Sequence, residues 1–366
     1  MNESILKNEE KAILKLRSLY KSYGYLPFKM SKFEEYDLYV RNKDFLISDG
    51  IITFNDTDGK LLALKPDVTL SIVKNAVDEP GCKQKYCYDE NVYRISGSTH
   101  QYKELMQAGL ECIGDIDLYD ILEVVTLAAE SLSLLSDDFI LAISHPGILS
   151  AVLDSENIVG SVRSDIVRCF SEKNCHDLIK LCAEQSLSPK VTDILSELIG
   201  IYGSPAASLD RISSLCGDLA GDAITELKRL VSLLGGTAYA EKFRLDSSLV
   251  SNSDYYGGFI FKGFLSGVGE SVLTGGQYGK LLRRMGRRSD AIGFAIYLDR
   301  LELLSARQQE FDVDVLLLYS DNTDVSAVAA KAAELTAMGK SVSAQKAIPS
   351  KLRPGEIIDM KGDSAK

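Results

Sequence analysis

The sequence predicts an α+β fold: a mainly antiparallel sheet flanked by helices, with a helical insert and a small C-terminal α/β domain. Three observations carry this. Strand-like runs fill the first third of the chain and return after residue 240, while the stretch at 147–235 is Leu- and Ser-rich with helical spacing. The closing segment reads strand, helix, strand. Strands that come in runs, rather than alternating singly with helices, favour antiparallel pairing. The organisation expected is a core from 1–146 and 236–304, an insert at 147–235, and a terminal domain at 311–366.

Each element has a local reason. Ile5, Ile13, Leu14, Leu16, Leu19 and Tyr20 recur at roughly helical spacing, and Gly24 supplies a stop. Apolar runs at 51–53 and 61–64 flank Asn55-Asp56-Thr57-Asp58-Gly59, a hairpin signal. Residues 67–77 read as a helix with Asp67 near its N-terminus, where an acceptor side chain is favourable. Strands are expected at 84–94 and 103–114, then an amphipathic helix from Asp117 to Leu134. Short helices fill the insert, broken near Pro189 and Gly203-Ser204-Pro205. Strand character returns at 243–246 and 257–265. The tail carries a buried strand at 313–319, an Ala-rich helix at 324–338 and a strand at 341–345.

The 366 residues include 41 Lys+Arg against 52 Asp+Glu, a formal charge of -11. Hydrophobic residues make up 45%, enough for a large core and too many for a disordered chain. The acidic balance argues against a broad nucleic-acid footprint, which needs surplus cations on one face. No apolar run approaches the roughly 18 residues that span a bilayer. The N-terminal MNESILKNEEKAILKLRSLY is charged throughout and unlike a signal peptide, so a cytoplasmic protein without membrane association is expected. Seven cysteines form no C-x-x-C pair and only three histidines are present. Reduced cysteines, no metal and no cofactor are the expectation.

Four segments carry candidate chemistry. Lys65-Pro66-Asp67-Val68-Thr69 opens a helix after the hairpin, with Asp67 and Thr69 as acceptors for a ligand ammonium. Arg94 ends Val92-Tyr93-Arg94, and Gln107, Gly109 and Glu111 share one strand face by period two, the glycine leaving room between two polar side chains. Asp254-Tyr255-Tyr256-Gly257-Gly258 offers hydroxyl donors and a wall for a small ring. Finally, Gly275-Gly276-Gln277-Tyr278-Gly279 precedes Lys280, Arg283, Arg284, Arg287 and Arg288, a local basic cluster suited to a phosphate-bearing ligand or an acidic partner.

In order and spacing, these segments resemble the histidyl-tRNA synthetases over roughly residues 10–304. LLALKPDVT is similar to that family's arginine-proline-acid-x-threonine element, VYR to motif 2, QAGLECIG to its glutamine-x-glycine-x-glutamate strand, SDYYGGFIF to its double-tyrosine segment, and GGQYGKL through IGFAIYLDRL to motif 3. The resemblance implies a class II synthetase-like core and a histidine pocket. Asp67 and Thr69 would hold the ammonium, Gln107 the polar end of the amino acid, and Glu111 and Tyr255 the imidazole, with Tyr256, Arg94 and Gly109 beside them. Arg94 and Arg300 match the family's ATP-facing arginines. A homodimer core is implied as well.

The sequence departs from the synthetases where adenylation is done. Ser251 stands where they carry a catalytic arginine, and 95–101 holds no arginine to grip ATP. No catalytic residue is therefore expected, since that charge stabilisation is worth several kcal/mol. Residues 311–366 resemble a shortened anticodon-binding domain, and no tRNA binding is expected. A histidine pocket without that machinery resembles the regulatory subunits of short-form ATP phosphoribosyltransferase, synthetase-like paralogs that assemble with a separate catalytic subunit. Lys103-Glu104-Leu105-Met106-Gln107 is closer to their arginine-glutamate-leucine-x-glutamine than to the synthetase pattern. The resemblance implies L-histidine as ligand and that catalytic subunit as partner.

Overall fold

The computed structural model describes residue 6 and residues 8–42, 50–96, 99–250, 256–301 and 311–361. The chain forms two compact units, Met1–Glu302 and Leu303–Lys366.

The first unit opens with α1 (Asn8–Ser22), which stops where Gly24 takes φ +81°. Short pieces β1 (Leu26–Pro27), β2 (Phe33–Glu35) and α2 (Tyr36–Arg41) follow. The expected hairpin is β3 (Thr53–Asn55) and β4 (Leu61–Leu64). Asp56 closes its turn by accepting the Asp58 and Lys60 amides at 2.9 and 2.8 Å, and Gly59 sits at φ +79°. With β2 this hairpin makes a three-stranded sheet.

The next helix, α3, spans Thr69–Asn75 rather than 67–77. The shortening has a physical cause. Asp67 spends its carboxylate on the Leu70 amide at 3.0 Å, so the helix starts after it, and Ala76 leaves the helix at ψ 152°. Then come two thirteen-residue strands, β5 (Lys83–Ile95) and β6 (Tyr102–Gly114), paired antiparallel along their length. Helix α4 (Leu118–Ser133) starts at a reciprocal cap: Asp117 accepts the Tyr119 amide at 2.8 Å, and Asp120 accepts the Asp117 amide at 2.9 Å. Such caps contribute about 1 kcal/mol.

After β7 (Phe139–Ser144) the chain runs through α5 (Gly147–Asp154), α6 (Gly160–Ser171), α7 (Cys175–Glu184), α8 (Pro189–Leu198), the two-residue β8 (Tyr202–Gly203), α9 (Pro205–Cys216) and α10 (Gly221–Leu234). Pro189 and Pro205 each occupy a first helical turn, where a missing amide costs nothing. The core resumes with β9 (Phe243–Asp246), β10 (Ile260–Leu265), β11 (Leu273–Gln277), the one-turn α11 (Gly279–Arg284) and β12 (Asp290–Tyr297).

These strands build a nine-stranded sheet in the order β1-β5-β6-β12-β11-β10-β7-β9-β8. Among the described residues, six of its eight pairings are antiparallel, with β1–β5 and β7–β9 parallel. The α+β class is as expected. The centre of the sheet is less legible in sequence, because β11 and β12 carry glycines that weaken a strand pattern. Packing explains them: a Cβ on Gly275 would lie 2.5 Å from the Gly293 carbonyl and from the Phe261 ring. Behind the sheet, α4 buries Val124, Val125, Leu127, Ala128 and Leu132 completely. At roughly 25 cal/mol per Å² of apolar surface, burying this face stabilises the core.

The second unit has β13 (Val313–Leu318), α12 (Val325–Ala337), β14 (Val342–Gln345) and β15 (Pro354–Asp359). The strands lie parallel in the order β14-β13-β15, and β15 extends the expected strand–helix–strand pattern. Val315 and Leu317 pack on Val328 and Leu335 of the helix. Among the described residues no helix is long and apolar enough to cross a membrane.

Candidate functional site

The loop before α3 is pinned to β5 by several contacts. The Tyr93 amide donates to the Lys65 carbonyl at 2.9 Å, Arg94 Nε donates to the Pro66 carbonyl at 2.9 Å, and the buried Lys65 ammonium meets Glu90 at 2.5 Å. This holds Asp67 and Thr69 over the sheet, opposite β6 and β12.

A cavity of about 410 Å³, including the space open at its mouth, lies there. Its walls include Asp67, Thr69, Arg94, Gln107, Glu111 and Tyr256. Thus six of the residues singled out in the sequence surround one space. Gly109 lies beside it. A Cβ there would sit 2.2 Å from the Phe294 carbonyl and 2.6 Å from the Tyr88 hydroxyl, so the glycine makes room for the Tyr88 ring. Tyr255, Asp254 and Ser251 lie outside the described residues.

Polar groups face inward from several elements. Thr69 donates to one Glu111 oxygen at 2.8 Å, and the Tyr278 hydroxyl donates to the other at 2.5 Å. Gln107 and Glu111 are each 2% exposed, and Asp67 is 5% exposed. The Gln107 Nε2 amide is buried with no hydrogen-bond partner among the described residues. A buried orphan donor is costly, and this one lies in the cavity wall, where a ligand or a water could accept from it.

Burial dominates the electrostatics. It pushes the Glu111 carboxyl up to about 8, against the opposing donation of Tyr278 and Thr69, with Asp67 pushing further upward. It also raises Asp67, opposed by the Leu70 amide, the Arg94 charge and the Thr69 amide. Tyr88 and Tyr256 are likewise driven upward by burial and stay neutral donors. The arrangement offers two carboxyl groups, a free amide and several hydroxyls. That set suits a small ligand rich in N–H donors.

Tyr278, Tyr88, Tyr297 and Thr274 also line the cavity, and the sequence did not single them out as site residues. Tyr278 lies in the quoted glycine-rich segment, yet its pairing with Glu111 crosses 167 positions. For Tyr88 the signal was indirect: it sits opposite Gly109 in the β5–β6 register.

The basic segment is arranged differently. Arg287 donates to the Lys74 carbonyl at 2.9 Å, and the Arg288 amide meets Asp78 at 3.0 Å. Lys280, Arg283, Arg284 and Arg288 are exposed, and Lys280 also lines a neighbouring groove with Tyr256, Gly257, Asp154 and Arg163. Arg300 stacks on Tyr297 with its guanidinium 4.4 Å from the ring centre and pairs with Glu270 at 3.0 Å.

The model of the family described as histidyl-tRNA synthetase matches residues 1–301. The chain belongs to this family. Within it, the chain is 28% identical to the ATP phosphoribosyltransferase regulatory subunit of Alkaliphilus metalliredigens, over 86% of this chain and 82% of that one. The subunit of that name from Caldanaerobacter subterraneus is 29% identical, covering 81% of this chain and 78% of its own. Among solved structures, an ATP phosphoribosyltransferase regulatory subunit/histidyl-tRNA synthetase from Bacillus halodurans C superposes with a TM-score of 0.75 at 23% identity, covering 97% of this chain and 94% of that chain. That likeness establishes the fold. The resemblance read from the motifs is thereby borne out, both to the synthetases and to the regulatory subunits.

Proposed function

We propose that the chain is the non-catalytic, histidine-binding regulatory subunit of a short-form ATP phosphoribosyltransferase. The observation that carries the proposal is the pocket itself. Asp67, Thr69, Gln107 and Glu111 remain gathered around one cavity, with the Gln107 amide unpartnered, in a chain whose relatives are named as regulatory subunits. The α-ammonium of histidine would meet Asp67 and Thr69, the imidazole N–H would meet Glu111, and Gln107 would serve the polar end. Tyr255 and Tyr256 would close the ring's other side.

No adenylation follows from this residue set. Ser251 replaces the expected cation, residues 95–101 supply none, and Arg300 is engaged by Glu270 and Tyr297. The chain would act instead through quaternary structure. Histidine need only bind one state of the complex more tightly, and a coupling of about 1–3 kcal/mol suffices for feedback on the condensation of ATP with phosphoribosyl pyrophosphate. The partner is the short catalytic subunit, assembled on a homodimer of this core in the cytoplasm. Lys280, Arg283, Arg284, Arg287 and Arg288 are the first surface to test for that contact. Residues 311–366 are a shortened anticodon-binding-like domain, and 147–235 act as the insert of the core.

Co-purification with a short-form catalytic subunit, followed by activity with and without histidine, is the test. Formation of a complex that is inhibited by histidine is expected. Histidine-dependent ATP–pyrophosphate exchange by the chain alone would overturn the reading in favour of an active synthetase.

A further inference from the structure

We propose that Gln277 is a positioning residue for the cavity: its side chain repairs a break in the β10–β11 ladder and so seats Tyr256 in the cavity wall. The ligand used in the test rests on the histidine reading above.

The break lies where the two glycine-rich segments meet. β10 and β11 pair antiparallel, with Ile260 opposite Gly276. One step further, a regular ladder would have Phe259 and Gln277 exchange both of their backbone bonds. One of the two is made: the Gln277 amide donates to the Phe259 carbonyl at 2.9 Å. The Gln277 carbonyl instead accepts from the Gly257 amide at 3.0 Å, so the chain bulges out of the ladder between Gly257 and Phe259. The Phe259 amide turns to the Gln277 side chain, whose Oε1 accepts it at 2.9 Å. Phe259 is 1% exposed, and its ring lies edge-on to His145 with the centroids 4.8 Å apart. A buried amide without an acceptor is costly, and the side-chain carbonyl removes that cost.

The glycines fit the same device. A Cβ on Gly258 would collide with Gln277 Oε1, so the folded-back side chain needs glycine there. A Cβ on Gly276 would sit 2.6 Å from the Tyr256 ring and 2.5 Å from the Phe259 carbonyl, so that ring lies against bare backbone. The next residue, Tyr278, donates to Glu111. Gln277 therefore joins two tyrosines of the cavity wall, one through its bonds to 257–259 and one as its neighbour in the chain. Its own side chain faces the Phe259 amide and is not among the described residues that line the cavity, which makes its role positioning rather than contact.

Two variants of the full chain, labelled with fluorotyrosine, test this. Gln277→Met keeps the length and loses the acceptor, while Gln277→Glu keeps an acceptor oxygen. The fluorine resonance of Tyr256, assigned with Tyr256→Phe, should move in the Met variant and stay in place in the Glu variant. In calorimetry the Met variant should bind L-histidine about fivefold or more weakly, and the Glu variant within about twofold of the parent, as a buried amide losing or keeping its acceptor requires. A thermal midpoint that falls in both variants with the Tyr256 resonance unmoved is what a merely structural role gives, and it overturns the inference. Parent-like affinity in the Met variant overturns it as well. Where the Met variant does not fold, hydrogen exchange of the parent decides: the Phe259 amide should exchange as slowly as that of Ile260, and fast exchange overturns the inference. If the parent binds no histidine at millimolar concentration, the histidine reading falls, and the fluorine resonances of the two variants still decide the role of Gln277.

Discussion

The cavity under α3 and the cationic stretch from Lys280 to Arg300 make an instructive pair. Both are rich in polar side chains and both belong to segments that match the family. In the cavity, carboxyl groups are buried with hydroxyl donors, and an amide donor is left without a partner. In the cationic stretch, Arg287 is bonded to the backbone of α3, and Arg300 is held by Glu270 and a tyrosine ring. A buried polar group left without a partner costs free energy, and in a cavity wall a bound ligand can recover it. Half-buried cations at the surface with partners inside the chain act mainly as struts of modest energetic value. The comparison therefore makes the cavity, rather than the cationic stretch, the first place to test for the proposed ligand.

Breaking the pocket should have the largest effect. Glu111→Ala or Asp67→Asn removes a charge-assisted acceptor, worth roughly 2–3 kcal/mol, and should weaken histidine binding by about 30- to 160-fold in calorimetry. An affinity within twofold of the parent for both variants would erase the distinction between the two regions.

The next effect concerns stability against pH. Glu111 sits well above the ordinary carboxylate range when folded, so between that range and about 8 the folded chain holds a proton that the unfolded chain has lost. Its contribution is therefore fully present below the ordinary range and is lost as pH rises towards 8. The thermal midpoint of the empty protein should fall across that window, with a slope of at most about 1.4 kcal/mol per pH unit from this group. Glu111→Gln should flatten it.

Gly109→Ala sharpens the wall of the pocket. Its Cβ would meet the Phe294 carbonyl and Tyr88, so a loss of about 1–3 kcal/mol in denaturant melts is expected. Weaker histidine binding should accompany it.

The smallest change belongs to the struts. Arg287→Ala loses one bond to the Lys74 carbonyl and should cost about 1 kcal/mol or less, with histidine binding unchanged. Reversing the charges of Arg283 and Arg284 addresses the partner. An unchanged affinity and salt dependence would make these arginines a solvated helix surface.

Much of this was legible in the chain. The hairpin at 51–64 came from the Asp58-Gly59 turn, the α4 helix from Asp117 and its apolar stripe, and the β6 pocket face from the period-two placement of Gln107, Gly109 and Glu111. These are local patterns, governed by turn conformation and side-chain periodicity. The α3 boundary shifted because one side-chain bond, Asp67 to the Leu70 amide, took over the helix start. β11 and β12 were hidden because their glycines answer to neighbours across the sheet rather than to strand propensity.

By itself the sequence determined the fold class and the identity of the carboxyl and amide side chains that line the pocket. Both depend on residue type and order along the chain. Only the tertiary structure decided that Tyr278 shares Glu111 with Thr69, that Arg300 is tied to Glu270 and Tyr297, and that Gln107 keeps an open donor. The physical reason is that a buried group's protonation and bonding depend on what surrounds it in space. Those neighbours come from strands and helices as far apart in sequence as Thr69 and Tyr278.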